Sequence, residues 1–320
     1  MTVLVVAGEG DRTANGVVRG LCARGVEVAR IDTSWFPQRL TLDAEFANGQ
    51  WVGELRMCSR TVALDELRAI WYRSPTRFEL PEGMSSAERQ YARREGKLGL
   101  GGVLTALPVL AVNDPHNAAR AVYKPLQLDI ASGCGLAVPN TQITNRADAV
   151  RRFAATAGDG GIVTKALGTT LVYEEERYKL GYTRRLTASD LADLRGLDVT
   201  AHQQQVWVKK REECRVVVVG DRVFAVAIYA GSEASSIDWR SDYPALSSQV
   251  VKPPESVIKG VRGVMVRLGL AYGAFDFAID HSDNWWFFEV NPGGVYGWLE
   301  YHTGVPITAA LVDLLAGGAP

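Results

Sequence analysis

Two carboxylates set inside apolar strands constrain this chain more than any other feature. Asp276 lies within Tyr-Gly-Ala-Phe-Asp-Phe-Ala-Ile, and Glu289 within Trp-Trp-Phe-Phe-Glu-Val-Asn-Pro. A charged side chain in such a setting is costly unless something pairs with it. Strand side chains alternate, so Asn291, two residues on, faces the same side as Glu289. Ser282-Asp283-Asn284 can reverse the chain and set Asp276 beside Glu289. Three convergent oxygen ligands suit a hard cation such as Mg²⁺, with phosphates and water filling the octahedron. The plainer alternative is a private buried ion pair for each carboxylate. Strand placement and the E-x-N spacing favour the metal.

The 320 residues allow two or three compact lobes with a buried core. Hydrophobic residues at 47% and charged residues at 22% are an ordinary globular balance, which argues against disorder. A net charge of −1 supplies no global field for nucleic acid or an anionic membrane, so any positive site must be local. Met1 to Ala7 has no basic stretch before it and soon meets Glu9 and Asp11, so it reads as a buried strand rather than a signal peptide. No run approaches the roughly 20 apolar residues that span a bilayer. Cys22, Cys58, Cys134 and Cys214 are scattered without a C-x-x-C pair, and His116, His202, His281 and His302 lack metal-ligand spacing. A cytoplasmic protein is expected.

The chain opens with strand, helix and strand at Val3–Ala7, Gly16–Arg24 and Glu27–Ile31, an α/β start. Leu40–Leu55 reads as a hairpin about Asn48-Gly49, and 64–67 as a short helix. A strand over 69–72 leads to Arg73-Ser74-Pro75, and Ser86–Leu107 is a long amphipathic helix. Boundaries near 110 and 200 give an N-terminal lobe (1–110), a central lobe (111–200) and a C-terminal lobe (201–320). The central lobe carries a helix over Asn117–Ser132, a helix over 147–157, the strand 162–165 and a hairpin over 170–182. The C-terminal lobe carries an apolar strand at Val206–Val208, a hairpin about Gly220-Asp221, a helix over 254–268 and the carboxylate-bearing strand pair.

Further residues suit work on phosphates. Lys165 ends the strand Ile-Val-Thr-Lys, and Lys124 lies on or beside a helix; a lysine there is a point charge for phosphate, or simply solvated. Gly168-Thr169-Thr170 offers backbone N–H groups or a plain turn. Val206, Trp207 and Val208 can offer backbone donors and acceptors to an adenine edge. Glu213 and Arg215, two apart, can face one side, the first toward ribose hydroxyls and the second toward phosphate, or form an edge ion pair. Asp238-Trp239-Arg240-Ser241 reads as a polar loop in which Arg240 could stabilise an acyl phosphate or be a chance surface arginine.

In this order, from about Val112 onward, the segments resemble the ATP-grasp superfamily, and its RimK-like branch most. Asp238-Trp239-Arg240-Ser241 stands for that branch's D-F/W-R-S element, and Glu213-Cys214-Arg215 for its D-x-R element. Gln205-Val206-Trp207-Val208 stands for its hinge, with Val206 in the place of a glutamate. Within the branch the chain is similar to the maturases of graspetides, ribosomal peptides closed by side-chain esters or amides. The strand end Val28-Ala-Arg-Ile-Asp-Thr33, the segment Trp71-Tyr72-Arg73-Ser74-Pro75, the helix from Lys124 to Leu128 and the tail from Glu289 to Glu300 carry that likeness. Gly8-Glu9-Gly10 is no dinucleotide fingerprint, because the third glycine of G-x-G-x-x-G is absent.

The resemblance implies an α/β (α+β ATP-grasp) fold, with a pre-ATP-grasp lobe followed by central and C-terminal lobes that sandwich ATP. It implies ATP and Mg²⁺ as cofactors, the metal held by Asp276, Glu289 and Asn291. Lys124, Lys165, Val206, Trp207, Val208, Glu213, Trp239 and Ser241 would bind nucleotide, with Arg215 and Arg240 catalytic. The implied reaction activates Asp or Glu side chains of a precursor peptide as acyl phosphates, for attack by Thr, Ser or Lys of the same peptide. The leader of that peptide would lie along the hairpin near 170–186, with Glu174, Glu175, Glu176, Arg184 and Arg185, a charged run that could also be merely solvated. A homodimer is implied, with no nucleic-acid or membrane partner. Two rivals are a RimK-like ligase adding an amino acid to a protein or small acid, and a non-catalytic nucleotide-binding module.

Overall fold

A computed structural model describes residues 1–58, 60–168, 171–174 and 177–317, with backbone alone at 159, 171–174 and 177–180. The N-terminal third alternates strand and helix: β1 (Thr2–Ala7), α1 (Arg12–Ala23), β2 (Glu27–Ile31), β3 (Leu40–Ala47), β4 (Gln50–Met57), β5 (Arg60–Ala63), β6 (Leu67–Ser74), α2 (Ser86–Ala106) and β7 (Leu110–Val112). Strands β2-β1-β6-β7 form one parallel sheet, and β3-β4-β5 an antiparallel meander beside it. Asn48 and Gly49 take φ of 51° and 82°, the left-handed pair that a two-residue hairpin demands. Asp11 caps α1 by accepting from the Ala14 N–H, and Ser85 with Glu88 forms a capping box on α2.

The middle of the chain holds α3 (Pro115–Ala121), α4 (Lys124–Gly133), β8 (Thr141–Thr144), α5 (Ala147–Thr156), β9 (Ile162–Lys165), β10 (Leu171–Glu174), β11 (Arg177–Leu180), β12 (Arg184–Arg185), α6 (Ala188–Ala192) and β13 (His202–Val206). One sheet runs β12-β9-β13-β8, and β10 pairs β11 as a hairpin. Two expectations need correction. The single helix over 117–132 is two, because Pro125 has no N–H to give and is tolerated only in a helix's first turn, so a new helix starts beside it. The strand at the hinge is not Val206–Val208 but His202–Val206, whose Gln203, Gln204 and Gln205 are all buried.

The last part holds β14 (Lys210–Val219), β15 (Arg222–Tyr229), α7 (Glu233–Ile237), β16 (Ser247–Val250), α8 (Glu255–Leu268), β17 (Tyr272–Asp280), β18 (Trp285–Asn291), α9 (Gly297–Thr303) and α10 (Ile307–Gly317). The antiparallel sheet β16-β15-β14-β17-β18 packs α4 and α8 on one face through Ile130, Val261, Val264, Phe275 and Phe287. Helix α10 returns to the first sheet: Leu311 and Leu315 share a core with Val3, Val5, Trp71, Val217 and Val219. The beginning and end of the chain are thereby joined in one apolar core. Among the described residues no helix is long and apolar enough to cross a membrane.

Candidate active site

Strands β17 and β18 pair in the register that sets Asp276 opposite Glu289. Directly opposed antiparallel residues bring their side chains close on one face. Asn291 ties the pair together, its Nδ2 lying 3.4 Å from Asp276 Oδ2 and 3.2 Å from Glu289 Oε1. Each carboxylate also has a cation behind it. Arg215 Nη1 donates to Asp276 Oδ1 at 2.7 Å, and Lys124 Nζ donates to Glu289 Oε2. Ion pairing and convergence, set against one another in the sequence, are therefore both present.

Burial would raise the Glu289 carboxyl, but Lys124 and Lys165 overcome it and hold it at about 2. Asp276 goes the other way: burial and the neighbouring Glu289 raise it against the pull of Arg215. Lys165 faces Glu289 from β9, over the Phe288 ring at 4.7 Å, and burial brings its pKa down to about 8. Two carboxylates and an amide oxygen, reached by a half-turn of Asn291, are an oxygen set that fits Mg²⁺. No group of three or more His, Cys, Asp or Glu poised for a metal occurs among the described residues. With only Asp276, Glu289 and Asn291 as protein ligands, an octahedral ion would keep positions for phosphate oxygens and water.

Lys124, Lys165, Arg240, Glu289 and Asn291 line a cavity of about 220 Å³. It shares Lys165, Thr183, Arg240 and Glu289 with a narrower cleft walled by Val206, Trp207, Val208, Lys210, Glu213 and Trp239. The cleft runs between the β9–β13 sheet and the β14–β17–β18 sheet. At the hinge the Val206 N–H donates to Asn140 and the Trp207 N–H to Gly161. Of the three expected donors, Val208 alone keeps an N–H with no partner among the described residues. Trp207 is flanked by Arg185 at 5.3 Å and Lys210 at 5.1 Å.

Asp238 through Ser241, read as a polar loop, is a buried turn, which disfavours the rival reading of a chance surface arginine. Asp238 and Trp239 are buried, and residues 239–241 form a 3-10 turn. Asp238 accepts from the Arg240 N–H, from Arg240 Nε and Nη2, and from the Thr183 N–H. It thereby keeps Arg240 charged and aimed into the cavity, and ties the turn to the segment before β12. Ser241 lies off both cavity walls, with its hydroxyl buried and without a hydrogen-bond partner among the described residues. Arg184 pairs with Asp190 at 2.7 Å, and Arg185 donates to the Gly160 carbonyl. Glu175, Glu176 and Thr169-Thr170 lie outside the described residues, as does the side chain of Glu174.

Sequence reasoning missed Lys210, whose Nζ donates to Glu213 Oε1 at 2.6 Å and to the Ile237 carbonyl at 3.0 Å. Burial raises the Glu213 carboxyl, against the pull of Lys210. It also missed a clamp on the tail after β18. Four consecutive carbonyls each meet a side-chain donor. Pro292 accepts from Asn113 Nδ2 (2.7 Å), Gly293 from Arg73 Nη1 (2.7 Å), Gly294 from the Tyr272 hydroxyl (2.6 Å) and Val295 from Arg215 Nη2 (3.5 Å).

Comparison with known proteins follows the same lines. Residues 2–119 match the family described as the MvdD pre-ATP grasp domain. The macrocyclase MdnB of Microcystis aeruginosa MRC is 30% identical, with 98% of each chain covered and a TM-score of 0.80. MdnC of the same organism, solved with its precursor peptide MdnA, is 29% identical over 99% of this chain and 100% of that one, with a TM-score of 0.86. A RiPP-associated ATP-grasp ligase of Chryseobacterium gregarium, solved with ADP and a leader and core peptide, is 25% identical over 99% and 96%, with a TM-score of 0.88. No curated protein sequence matches the chain.

Proposed function

The chain belongs to the ATP-grasp macrocyclases of ribosomal peptides, and from that premise we propose that it closes side-chain ester or amide rings in a precursor peptide of its own. The observation that carries this is one cleft in which Asp276, Glu289 and Asn291 meet Lys124, Lys165 and Arg240, with Arg215 behind Asp276. That combination suits a polyphosphate with its metal.

The γ-phosphoryl group of ATP passes to an Asp or Glu carboxylate of the peptide, giving an acyl phosphate and ADP. A Thr or Ser hydroxyl, or a Lys amine, of the same peptide then attacks the acyl carbon, and phosphate leaves. The peptide loses one water per linkage. Asp276, Glu289 and Asn291 would hold Mg²⁺, which when bound would supply positive charge to the phosphates. Lys124, Lys165 and Arg215 hold phosphate oxygens, and Arg240, fixed by Asp238, faces the acyl phosphate. Glu213 takes ribose hydroxyls, while Val208 meets the adenine edge between the walls made by Val206, Trp207 and Trp239. The Ser241 N–H, donating to the Asp238 carbonyl at 2.9 Å, closes the turn that carries Arg240. Catalysis is then placement and electrostatics, without a covalent protein intermediate.

The leader is assigned to the hairpin over 170–186, with Glu174, Glu175, Glu176, Arg184 and Arg185 as its contacts; Arg184 is paired with Asp190 and Arg185 stands beside Trp207. A cytoplasmic homodimer completes the reading. ADP release in the presence of a candidate precursor tests it. The peptide should raise ADP formation, and Glu289→Gln should abolish the rise. ADP formation that no peptide alters, or that Glu289→Gln leaves intact, overturns it.

A further inference from the structure

A groove of about 570 Å³ in the N-terminal lobe lies outside the site just described. One wall is a stripe along α2, namely Arg93, Lys97, Leu100, Gly101, Leu104 and Thr105, whose spacing is one helix face. The other wall is Pro75 to Phe78, the chain leaving β6, and Val6 and Tyr72 form its floor. From Arg93 to Thr105 the helix runs roughly 18 Å. An extended peptide of about five residues matches that length.

Topology puts the groove where open α/β sheets bind ligands. Helix α1 packs with Val3, Val5 and Trp71 on one face of the parallel sheet, and α2 packs with Leu4, Val6 and Ile70 on the other. The connections from β1 and β6 therefore leave toward opposite faces. The crevice between such strands, outside their carboxyl ends, is the usual ligand position in this architecture. Val6 and Tyr72 stand near those ends.

Charge selects the occupant. Arg77, Arg93 and Lys97 are exposed on the rim, and none has a carboxylate within ion-pair distance among the described residues. Asp114, next to Pro115 in the groove, is already engaged in capping α3. Among the described residues no acidic side chain lines the walls, and the floor is largely apolar. Gly101 leaves open space: a Cβ there would meet nothing within 4 Å.

We propose that this groove docks an extended, acidic segment of the precursor peptide, one apolar side chain seated over Gly101 and its flanking carboxylates on Arg77, Arg93 and Lys97. The idea rests on the peptide-substrate reading above. The segment docked here is distinct from the carboxylate being phosphorylated, so the groove sets which acidic residue reaches the cleft.

A fluorescein-labelled synthetic decapeptide alternating Asp and Leu is the probe, with anisotropy as readout. Wild type should bind it, and the same peptide with Lys for Asp should not bind. Gly101→Phe, and separately the pair Arg93→Glu with Lys97→Glu, should weaken binding at least tenfold. Gly102→Phe, equally open but off the groove, should leave it unchanged, which controls for folding. Equal binding by Gly101→Phe, equal binding of the Lys peptide, or no binding to wild type overturns the proposal. A change confined to oligomeric mass in Gly101→Phe overturns it too, by making the groove a surface for a second copy. ADP release in the same samples separates the two readings. Probe binding by a wild type whose ADP release no peptide alters rejects the ligase and keeps the groove. Precursor-dependent ADP release with unchanged peptide KM in Gly101→Phe rejects the groove and keeps the ligase.

Discussion

Arg73, at the end of β6, donates from Nη1 to the carbonyl oxygen of Gly293 at 2.7 Å, across 220 residues of sequence. The contact fastens the first lobe to the tail that leaves Asn291. Gly293 is the second of four clamped carbonyls, so Arg73 holds the tail without reaching the cleft. Removing a charge-assisted hydrogen bond of this kind costs about 1.5–3 kcal/mol. Arg73→Met should lower kcat about tenfold with KM for ATP unchanged, and Arg73→Lys should restore part of it. Steady-state ADP release with peptide measures this; a rise in KM for ATP alone would give Arg73 a different role.

The two glycines of that tail should respond in opposite ways. A Cβ on Gly294 would lie 2.5 Å from the Ala274 Cβ and 2.8 Å from Arg215 Nη2, whereas one on Gly293 would meet nothing within 4 Å. Gly294→Ala must displace either β17 or the guanidinium paired with Asp276. It should lower Tm and cut activity at least tenfold, while Gly293→Ala stays near wild type. Equal effects in thermal melts and turnover would show that the crowding is relieved elsewhere.

Lys165 predicts a basic limb in the pH profile. Burial lowers its pKa from 10.5 to about 8, with Glu289 opposing. Below about 8 the ammonium is present to hold phosphate; above it the charge is lost. The value of kcat/KM for ATP, which reports the free enzyme, should fall as pH rises through about 8. Lys165→Arg should remove that limb, since a guanidinium stays charged. The same shift has a sign for stability. The charged lysine weakens the fold below about 8, and the penalty fades between there and 10.5. Lys165→Met should therefore raise Tm at pH 7 while lowering activity.

Glu289 behaves oppositely. Its folded pKa of about 2 lies below the ordinary 4.5, so its stabilisation is present above 4.5 and is lost as pH falls toward 2. Glu289→Gln leaves Lys124 and Lys165 without their counter-charge and should cost about 3 kcal/mol in denaturant unfolding. It should also raise sharply the Mg²⁺ concentration needed for half-maximal turnover. Adding Lys124→Met to it should recover stability but not activity. Recovery of both would remove Glu289 from the metal site.

The legible parts of the sequence were those with a strong period or a costly exception. Continuous apolar runs located β17 and β18, and Asp276 and Glu289 stood out because apolar strands rarely hold unpaired carboxylates. Asn48-Gly49 announced its hairpin by turn chemistry. The hinge strand was hidden because its buried residues are glutamines, whose polarity reads as surface. Lys210 was hidden inside Lys209-Lys210-Arg211-Glu212-Glu213, a run indistinguishable from a solvated face until the fold buries one side of it. The tail clamp depends on Arg73, Asn113, Arg215 and Tyr272, distant in sequence and brought together only by packing. No local pattern could reveal it.

The most direct test of macrocyclisation is the mass of a candidate precursor peptide after incubation with the protein, ATP and Mg²⁺. A loss of one water per linkage, matched by one ADP, is the predicted result. ADP formed with the peptide mass unchanged, or a gain in mass from an added amino acid, would contradict it.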